Sequence, residues 1–425
     1  MELPEEIRND ELTLELIPPP QADWDEIQEF AMTFSGYDYW GSFNACAEIA
    51  NAKRHDSLTD LRTCLFFEQR RWRHFGMSPD EEAMAYIRQL VAGIRDKVAS
   101  ENSLVPISNY KADLVQRYWD YQQSHFPDWE KFFECPRALD NRPPVFLRKE
   151  AWRNLIINPG ASQSEIKCLL SLIPEPYRHK WFRSMNSSQA LAQSILGNLT
   201  INRSLECLEE LKDDDGHALL GKAQVSADSF SMEKKIEHLG EPRSTSLDGY
   251  FAGRYQIAIE CKFTETEVGN CSRPRLEPSA SNYKTEFCDG TYTLQIPRKE
   301  RCSLTKIGVL YWKFIPEIFV WDSDKDIKPC PLNKNYQLVR NILAVGVKLD
   351  GTTSIFDSHA VLIYDERNPS FQPGGNGYTA FTETRQALKE PNMLRKCSWQ
   401  RIIQHMRISN VLPWLTEELR LKYGF

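Results

Sequence analysis

The sequence contains no apolar run long enough to cross a membrane. A membrane-spanning helix needs about 18 or more consecutive apolar residues, and no stretch of the 425-residue chain approaches that length. The opening MELPEEIRNDELTLEL is acidic and has no uninterrupted apolar segment of the secretory kind. We therefore expect a cytoplasmic protein with no membrane partner, whose 11 cysteines are free or bound to metal rather than paired in disulfides.

The chain also lacks an excess of basic residues. Its net charge is −7, whereas binding to nucleic-acid phosphates requires lysine and arginine. The acidity is concentrated at one end, because residues 1–30 hold ten acidic side chains against the single Arg8, a balance of −9. The rest of the chain is therefore about +2 (−7 minus −9), which permits a local basic groove without predicting one.

Two sequence motifs are missing. The chain has no G-x-x-x-x-G-K-[ST] loop, so it does not encode a nucleotide-driven motor. It also has no C-x-x-C pair, the close spacing that makes a zinc site readable from sequence.

What is present divides the chain into four predicted segments. Residues 1–21 form an acidic flexible leader that ends in three prolines, and residues 22–98 form a small helical domain. Residues 99–177, rich in aromatic residues and interrupted by prolines, are a helical linker region. From 178 to 425, short apolar runs alternate with helical patterns, which indicates an α/β domain with a mixed sheet.

Within the last segment, three apolar runs are predicted to be strands, at 257–263, 305–312 and 358–365. YQLVRNILAVGV, residues 336–347, has a helical pattern, and SMEKKIEHLGE, residues 231–241, is also interpreted as a helix.

The stretch IAIECKFTE places Glu260 and Lys262 two apart in an apolar run, so both point to one face of a strand. If the chain turns near Arg254, Asp248 lies opposite Glu260, with Cβ atoms about 5 Å apart. Two carboxylates that close repel unless a cation such as Mg²⁺ lies between them. Lys262 could then orient a metal-bound water or offset the charge on a phosphate. A solvated hairpin face explains the same spacing.

Asp248, eleven intervening residues and the Glu260-Cys261-Lys262 tripeptide resemble the PD-(D/E)XK nuclease superfamily. Leu247 stands where a proline usually precedes the aspartate. The chain is further similar to a group of bacterial restriction-endonuclease-like proteins over roughly residues 178–425. The matching features are SMNSSQALAQSILGNL (184–199), ECKFTE (260–265), YQLVRN (336–341) and VLIYDERNP (361–369).

This resemblance implies a restriction-endonuclease-like fold, with helices flanking a mixed central sheet, here preceded by the N-terminal helical domain. It implies that Asp248 and Glu260 bind Mg²⁺, for which Mn²⁺ could substitute, and that Lys262 is the catalytic lysine. Glu233 would complete the site from the preceding helix, with Glu237 as the alternative. The expected function is a Mg²⁺-dependent deoxyribonuclease that hydrolyses DNA phosphodiester bonds in bacterial restriction or anti-phage defence.

Other positions carry secondary expectations. Gln337 and Arg340 are predicted to face substrate phosphate, or else to make buried hydrogen bonds. Residues 186–189 are interpreted as the N-cap of the following helix. Residues 22–98 could recruit a protein partner or form a homodimer.

Four cysteines follow the predicted catalytic strand. Because some nucleases of this superfamily hold an iron–sulfur cluster with four cysteines, the resemblance implies a structural Zn²⁺ or cluster site here. Ordinary free cysteines are the other interpretation. The four residues are Cys271, Cys288, Cys302 and Cys330.

Two other functions remain as alternatives. One is a non-catalytic nucleic-acid-binding or protein-binding module on a nuclease fold, and the other is a nuclease of DNA repair or recombination. The intact set of Asp248, Glu260 and Lys262 favours an enzyme, because loss of activity usually erodes one member of such a set.

Overall fold

Five strands in the described part of the chain form one mixed sheet. The computed structural model describes residues 107–135, 142–242, 245–291, 302–321 and 329–425, which belong to a compact unit running from Pro106 to Phe425. Strands β1 to β3 pair antiparallel and β3 to β5 pair parallel, in the order β1-β2-β3-β4-β5. The strands are β1 (Phe230–Ile236), β2 (Thr245–Phe251), β3 (Gln256–Cys261), β4 (Ser358–Tyr364) and β5 (Leu394–Ser398).

Helices cover both faces of the sheet, and one of them contains a π-helical turn over Gln193–Gly197. They are α1 (Ile107–His125), α2 (Gln163–Ser171), α3 (Ser188–Ala192, continued after the π turn by Asn198–Ile201), α4 (Tyr283–Glu286), α5 (Ser303–Lys306), α6 (Tyr311–Ile318), α7 (Leu332–Gly346), α8 (Asn376–Gln386), α9 (Trp399–Ile408) and α10 (Pro413–Tyr423). Short 3₁₀ helices include Arg148–Asn154 and Glu175–Tyr177.

The central strand β3 is apolar because both of its faces are buried. Ile257 and Ile259 point into a core shared with α1, α3, α9 and α10. Ala258, on the other face, packs into a second core built with α6, α7 and α8. Helix α7 is the last helix before β4 and lies against both β3 and β4, so its inner face meets the side of β3 that carries Glu260.

Two predicted elements are wrong. Residues 305–312 are not a strand but lie at α5 and the start of α6, where a short buried helix has the same apolar composition as a buried strand. Residues 231–241 are not a helix, since Phe230–Ile236 pair with β2 as strand β1. Met232 and Ile236 recur at helical spacing, but the ladder with β2 outweighs that local pattern.

The other predicted elements are confirmed. The runs at 257–263 and 358–365 contain β3 and β4, residues 336–347 lie almost entirely in α7, and the α/β architecture with a mixed sheet is observed. The predicted leader and helical domain, residues 1–98, lie outside the described residues, and the four segment boundaries stay predictions. Across the described residues, no helix combines the length and apolarity needed to traverse a lipid bilayer.

Candidate active site

The hairpin of β2 and β3 brings the two predicted metal ligands together. Gly249 pairs with Ile259 in the antiparallel ladder, so continuing this register by one residue places Asp248 opposite Glu260. Oδ2 of Asp248 accepts a hydrogen bond of 2.7 Å from the backbone N–H of Cys261. This bond fixes the aspartate across the end of β3, in the register that the sequence predicts.

Glu260 is buried, and both of its carboxylate oxygens have partners. Oε1 accepts a hydrogen bond of 2.6 Å from Nε2 of Gln337 and lies 2.8 Å from Nζ of Lys262. Oε2 accepts a bond of 2.7 Å from Nδ2 of Asn341. Gln337 and Asn341 are four residues apart on α7, so both amides project from one face of that helix.

Lys262 follows β3 directly, and its ammonium group lies inside the site. Nζ donates to Oε1 of Gln337 at 3.1 Å in addition to contacting Glu260. Burial lowers the pKa of Lys262, but the negative charge of Glu260 and of two further carboxylates outweighs burial and raises the pKa above its usual value. The lysine is therefore held as a positive charge facing the carboxylates.

Glu233 reaches the same site from β1. The β1–β2 ladder is paired on either side of this residue, which lies opposite Asp248 in the register. Its φ of 49° is in the left-handed region that non-glycine residues rarely adopt. Its carboxylate accepts a hydrogen bond from Nε2 of Gln189, near the start of α3. The glutamate thus comes from a distorted strand rather than from the predicted helix.

The three carboxylates carry more negative charge than the two neighbouring cations, Lys262 and Arg340, compensate. Burial is the main cause of a raised pKa for Asp248, and the charges of Glu260 and Glu233 raise it further. Burial also raises the pKa of Glu233, with hydrogen bonds opposing it in part and the charge of Glu260 adding to it. A cation at this site would relieve both effects.

Gln337 and Arg340 lie in the contact between α7 and the sheet. Gly269 has a φ of +116°, and a Cβ there would lie 2.1 Å from Oε1 of Gln337, so this close approach requires glycine. Arg340 is buried and donates to Oδ1 of Asn341, at 3.0 Å from Nη2, and to the Ser246 carbonyl at 3.4 Å. These contacts support the buried hydrogen-bonding alternative, and contact with phosphate stays a prediction.

Asn368, in the motif at 361–369, and Trp399, the first residue of α9, support the end of β3. Nδ2 of Asn368 donates to the carbonyl of Phe263 at 2.7 Å, and Nε1 of Trp399 donates to the carbonyl of Lys262 at 3.1 Å. These bonds satisfy the backbone where the sheet pairing stops. They hold the Lys262 backbone in place.

A second acidic group lies in the loop that precedes β1. Asp213 is buried, and its Oδ1 accepts the backbone N–H groups of Asp215 and His217 at 3.0 and 2.8 Å. The carboxylate and imidazole atoms of these three residues all lie within 4.8 Å of one another, so they could hold a divalent metal ion. No other trio of His, Cys, Asp or Glu in the described ranges is this compact. Arg385 already pairs with Asp215.

The four predicted cysteines lie in one region beneath α7. All four are buried. Cys271 donates its backbone N–H to Asn333, which in turn donates to the carbonyl of Cys330. Burial raises the pKa of the Cys271 thiol to about 12, and the thiols of Cys302 and Cys288 contribute to this rise. The four cysteines that the sequence grouped into one candidate site are therefore neighbours in the structure.

Backbone N–H groups point at three of these thiols. The Cys288 sulfur accepts from Gly290 at 3.4 Å. Hydrogen bonds from backbone groups of Arg273 and of Leu304 oppose the burial that raises the pKa of Cys271 and Cys302, respectively. Hydrogen bonding of this kind favours the thiolate, which is the form that binds metals.

A comparison with known protein families matches residues 151–424, more than half of the chain, to the family described as restriction endonuclease associating with ARP. The chain belongs to this family. The matched range contains the whole five-stranded sheet and all of the side chains around Glu260. Neither a curated protein nor a solved structure matches the chain.

Membership in this restriction-endonuclease family agrees with the observed α/β sheet and points to a nuclease. Two residues of the site were missed from sequence. Asn341 lies within the matched YQLVRN feature (336–341) but was assigned no role. Gln189 was assigned only to the N-cap at 186–189, which Ser187 provides as predicted. The spacing of four residues between Gln337 and Asn341 was the signal that could have indicated Asn341.

Proposed function

We propose that this chain is a PD-(D/E)XK-type nuclease that hydrolyses DNA phosphodiester bonds with Mg²⁺ or Mn²⁺. The observation that carries the proposal is the meeting of Asp248, Glu260 and Lys262 on two paired strands, with excess negative charge around a protonated lysine. The family's description as a restriction endonuclease supports the same reaction class.

The donor set fits a hard divalent cation. Carboxylate oxygens are the ligands that Mg²⁺ takes, together with water and phosphate oxygens, and Asp248 and Glu260 would hold the ion with Glu233 beside them. When bound, the ion would lower the pKa of a water molecule and polarise a phosphate oxygen. Nζ of Lys262 lies 2.8 Å from Oε1 of Glu260, an oxygen that the ion would use. We therefore expect the ammonium group to move toward the phosphate when the ion binds.

The protein residues then have separate tasks. Asp248 and Glu260 position the ion, and Lys262 orients the attacking water or neutralises charge that develops on the phosphate. Gln337 and Asn341 act as positioning residues, because they fix the orientation of the Glu260 carboxylate.

The test is cleavage of plasmid, linear duplex and single-stranded DNA by the purified chain with Mg²⁺, Mn²⁺ or EDTA. Lys262→Ala is compared with Lys348→Ala, which changes an exposed lysine after α7. We expect metal-dependent cutting by the wild type and by Lys348→Ala, and none by Lys262→Ala. Cutting that survives in both EDTA and Lys262→Ala would refute the proposal.

A folded wild-type chain that cuts none of these DNAs would favour the non-catalytic binding module. Calorimetric titration of Mn²⁺ into wild type and Asp248→Ala then decides whether the metal site exists without cleavage. A role in restriction rests on the family's description, and roles in anti-phage defence or in repair stay predictions from the sequence. That description names an association with ARP, which supports the predicted protein partner.

We further propose that Cys271, Cys288, Cys302 and Cys330 bind a structural iron–sulfur cluster or Zn²⁺. A single Zn²⁺ with bonds of about 2.3 Å would bring two sulfur atoms within about 4.6 Å, and no three of these thiols are that close. A [4Fe–4S] cluster bonds each of its four cysteines to a different iron atom and tolerates wider spacing of the sulfur atoms. The spacing therefore favours the cluster.

Metal analysis and the visible absorbance of anaerobically purified protein test this assignment. Cys302→Ser should lose the bound metal and lower the melting temperature, whereas Cys207→Ser, a partly buried thiol outside the group, should retain both. Metal-free wild-type protein with an unchanged melting temperature in Cys302→Ser would leave ordinary buried cysteines as the interpretation.

A further inference from the structure

A basic cleft of about 730 Å³ opens on the surface beside α2. One wall is the 3₁₀ helix Arg148–Asn154, and the other is the segment 175–183, which includes the 3₁₀ helix Glu175–Tyr177. None of the carboxylate, lysine or amide groups around Glu260 lines this cleft.

Positive charge dominates the lining. Five lining residues are lysine or arginine and one, Glu175, is acidic, giving a local balance of +4 (5 minus 1) in a chain of net charge −7. Burial, and then the neighbouring Lys180, lower the pKa of His179, so this balance leaves the histidine out. The five cations are Arg148, Lys149, Arg178, Lys180 and Arg183.

Not all of these cations are equally available to a ligand. Arg183 pairs with Glu134, and Arg178 donates to the carbonyl groups of Leu170 and Ile173 at 3.0 and 3.1 Å. Within the described ranges, three others have no carboxylate within ion-pair distance and are exposed, namely Arg148, Lys149 and Lys180.

Two large aromatic side chains are exposed among these cations. Trp181, in the cleft, is 50% exposed, and Tyr177, on the same segment, is 43% exposed. Nζ of Lys180 lies 5.7 Å from the ring centroid of Trp181. Cations beside an open aromatic face match what an unpaired base and its phosphate require. A base pair within a duplex cannot stack on such a ring.

The cleft is joined to the carboxylate centre through one side chain. Oε1 of Gln189 accepts the backbone N–H of His179 at 2.8 Å. Nε2 of the same amide donates to the carbonyl of Tyr177 at 3.2 Å and to Glu233. A strand bound in the cleft therefore lies on the segment that holds Glu233.

We propose that this cleft binds a single-stranded segment of the nucleic-acid substrate, with phosphates on Arg148, Lys149 and Lys180 and a base stacked on Trp181. The inference rests on the proposed nuclease function. It adds that the enzyme acts where a strand is unpaired, at a single-stranded region, an end or a junction.

The experiment measures binding alone, by fluorescence anisotropy of the full chain in EDTA, where no metal-dependent cutting occurs. The probes are a short labelled oligothymidylate, an abasic strand of the same length and a duplex of the same length. We expect the oligothymidylate to bind most tightly, because the abasic strand keeps the phosphates but offers no base to stack.

Variants separate the two contacts. Trp181→Ala should weaken oligothymidylate binding by about tenfold or more and leave abasic binding unchanged, while Trp181→Phe should retain most of the affinity. Lys149→Gln combined with Lys180→Gln should weaken binding of both strands and reduce the slope of log K against log salt by about 1.4, from about 0.7 per phosphate contact. Lys348→Gln is the matched lysine control.

Equal affinity for the intact and abasic strands would overturn the single-strand assignment, as would tighter duplex binding that Trp181→Ala leaves unchanged. An unaltered salt slope in the double lysine variant would refute the assignment of phosphate binding to this cleft. Because this assay needs no cleavage, strand binding that behaves as expected in a chain that never cuts DNA would refute the proposed nuclease function alone.

Discussion

Two acidic groups in this chain differ in how their negative charge is compensated. In the loop at 213–217, Oδ1 of Asp213 accepts two backbone N–H groups and Asp215 pairs with Arg385. The buried Oδ2 of Asp213 has no hydrogen-bond partner among the described residues and lies 3.6 Å from Nδ1 of His217.

Around Glu260, burial and the charge of Glu260 raise the pKa of Asp248 and of Glu233, and two cations, Lys262 and Arg340, face three carboxylates. Proximity of ligand atoms alone would select the loop, whereas uncompensated charge selects the sheet. The comparison predicts that residual charge, rather than proximity alone, marks the reaction centre.

The largest expected effect distinguishes Asp248, in the sheet, from Asp213, in the loop. Asp248→Asn should reduce the initial cleavage rate by more than about 100-fold, since even the loss of an outer-shell partner of a metal ligand costs about 10- to 100-fold. Asp213→Asn should cut DNA at nearly the wild-type rate but lose about 1–3 kcal/mol of unfolding free energy, because a buried loop carboxylate changes its hydrogen bonding. Cleavage rates and urea denaturation measure the two effects. The reverse pattern would move the reaction centre to the loop.

A smaller effect is expected at the amide that orients Glu260. Asn341→Ala should lower the cleavage rate by about 10- to 100-fold, because Oε2 of Glu260 loses its donor. Mn²⁺ should still bind, but with lower affinity. Asn335→Ala is the matched control, a buried asparagine of the same helix that faces Glu383 rather than the site. Equal rates for the two variants would argue against a positioning role for Asn341.

The smallest effect concerns pH. The raised pKa values of Asp248 and Glu233 mean that the folded chain keeps protons which the unfolded chain loses above about pH 4. The stability contributed by these groups is therefore present at low pH and is lost as pH rises through their folded pKa values. We expect Mg²⁺ to raise the melting temperature more at pH 8 than at about pH 5. Thermal melts across pH measure this.

Asp248→Asn should abolish most of that pH-dependent difference, whereas Asp213→Asn should leave it in place. If Mg²⁺ raised the melting temperature equally at both pH values in the wild type, the raised pKa values would have no link to metal binding.

The sequence allowed the site to be predicted where local geometry is regular. A turn near Arg254 and strict alternation along β3 determine that Asp248 faces Glu260, and both follow from residue spacing. Helix α7 was also predictable, because its apolar residues recur at the helical period.

The sequence could not reveal contacts that depend on non-local packing. Glu233 belongs to a strand whose pairing with β2 is decided by the sheet, and its left-handed backbone has no marker such as glycine. The helical start of α6 reads as a strand because a short buried run has no decisive period. Gln189 meets Glu233 only after α3 packs beside β1.

The two amides that hold Glu260 make the site intolerant of changes in the length of α7. Gln337 and Asn341 reach the carboxylate because they are one helical turn apart on α7. Inserting or deleting one residue early in α7 would rotate the following residues by roughly 100° and carry both amides away together. Divergent copies of this gene should therefore vary in length within the loops before and after α7, while the helix itself keeps its count of residues.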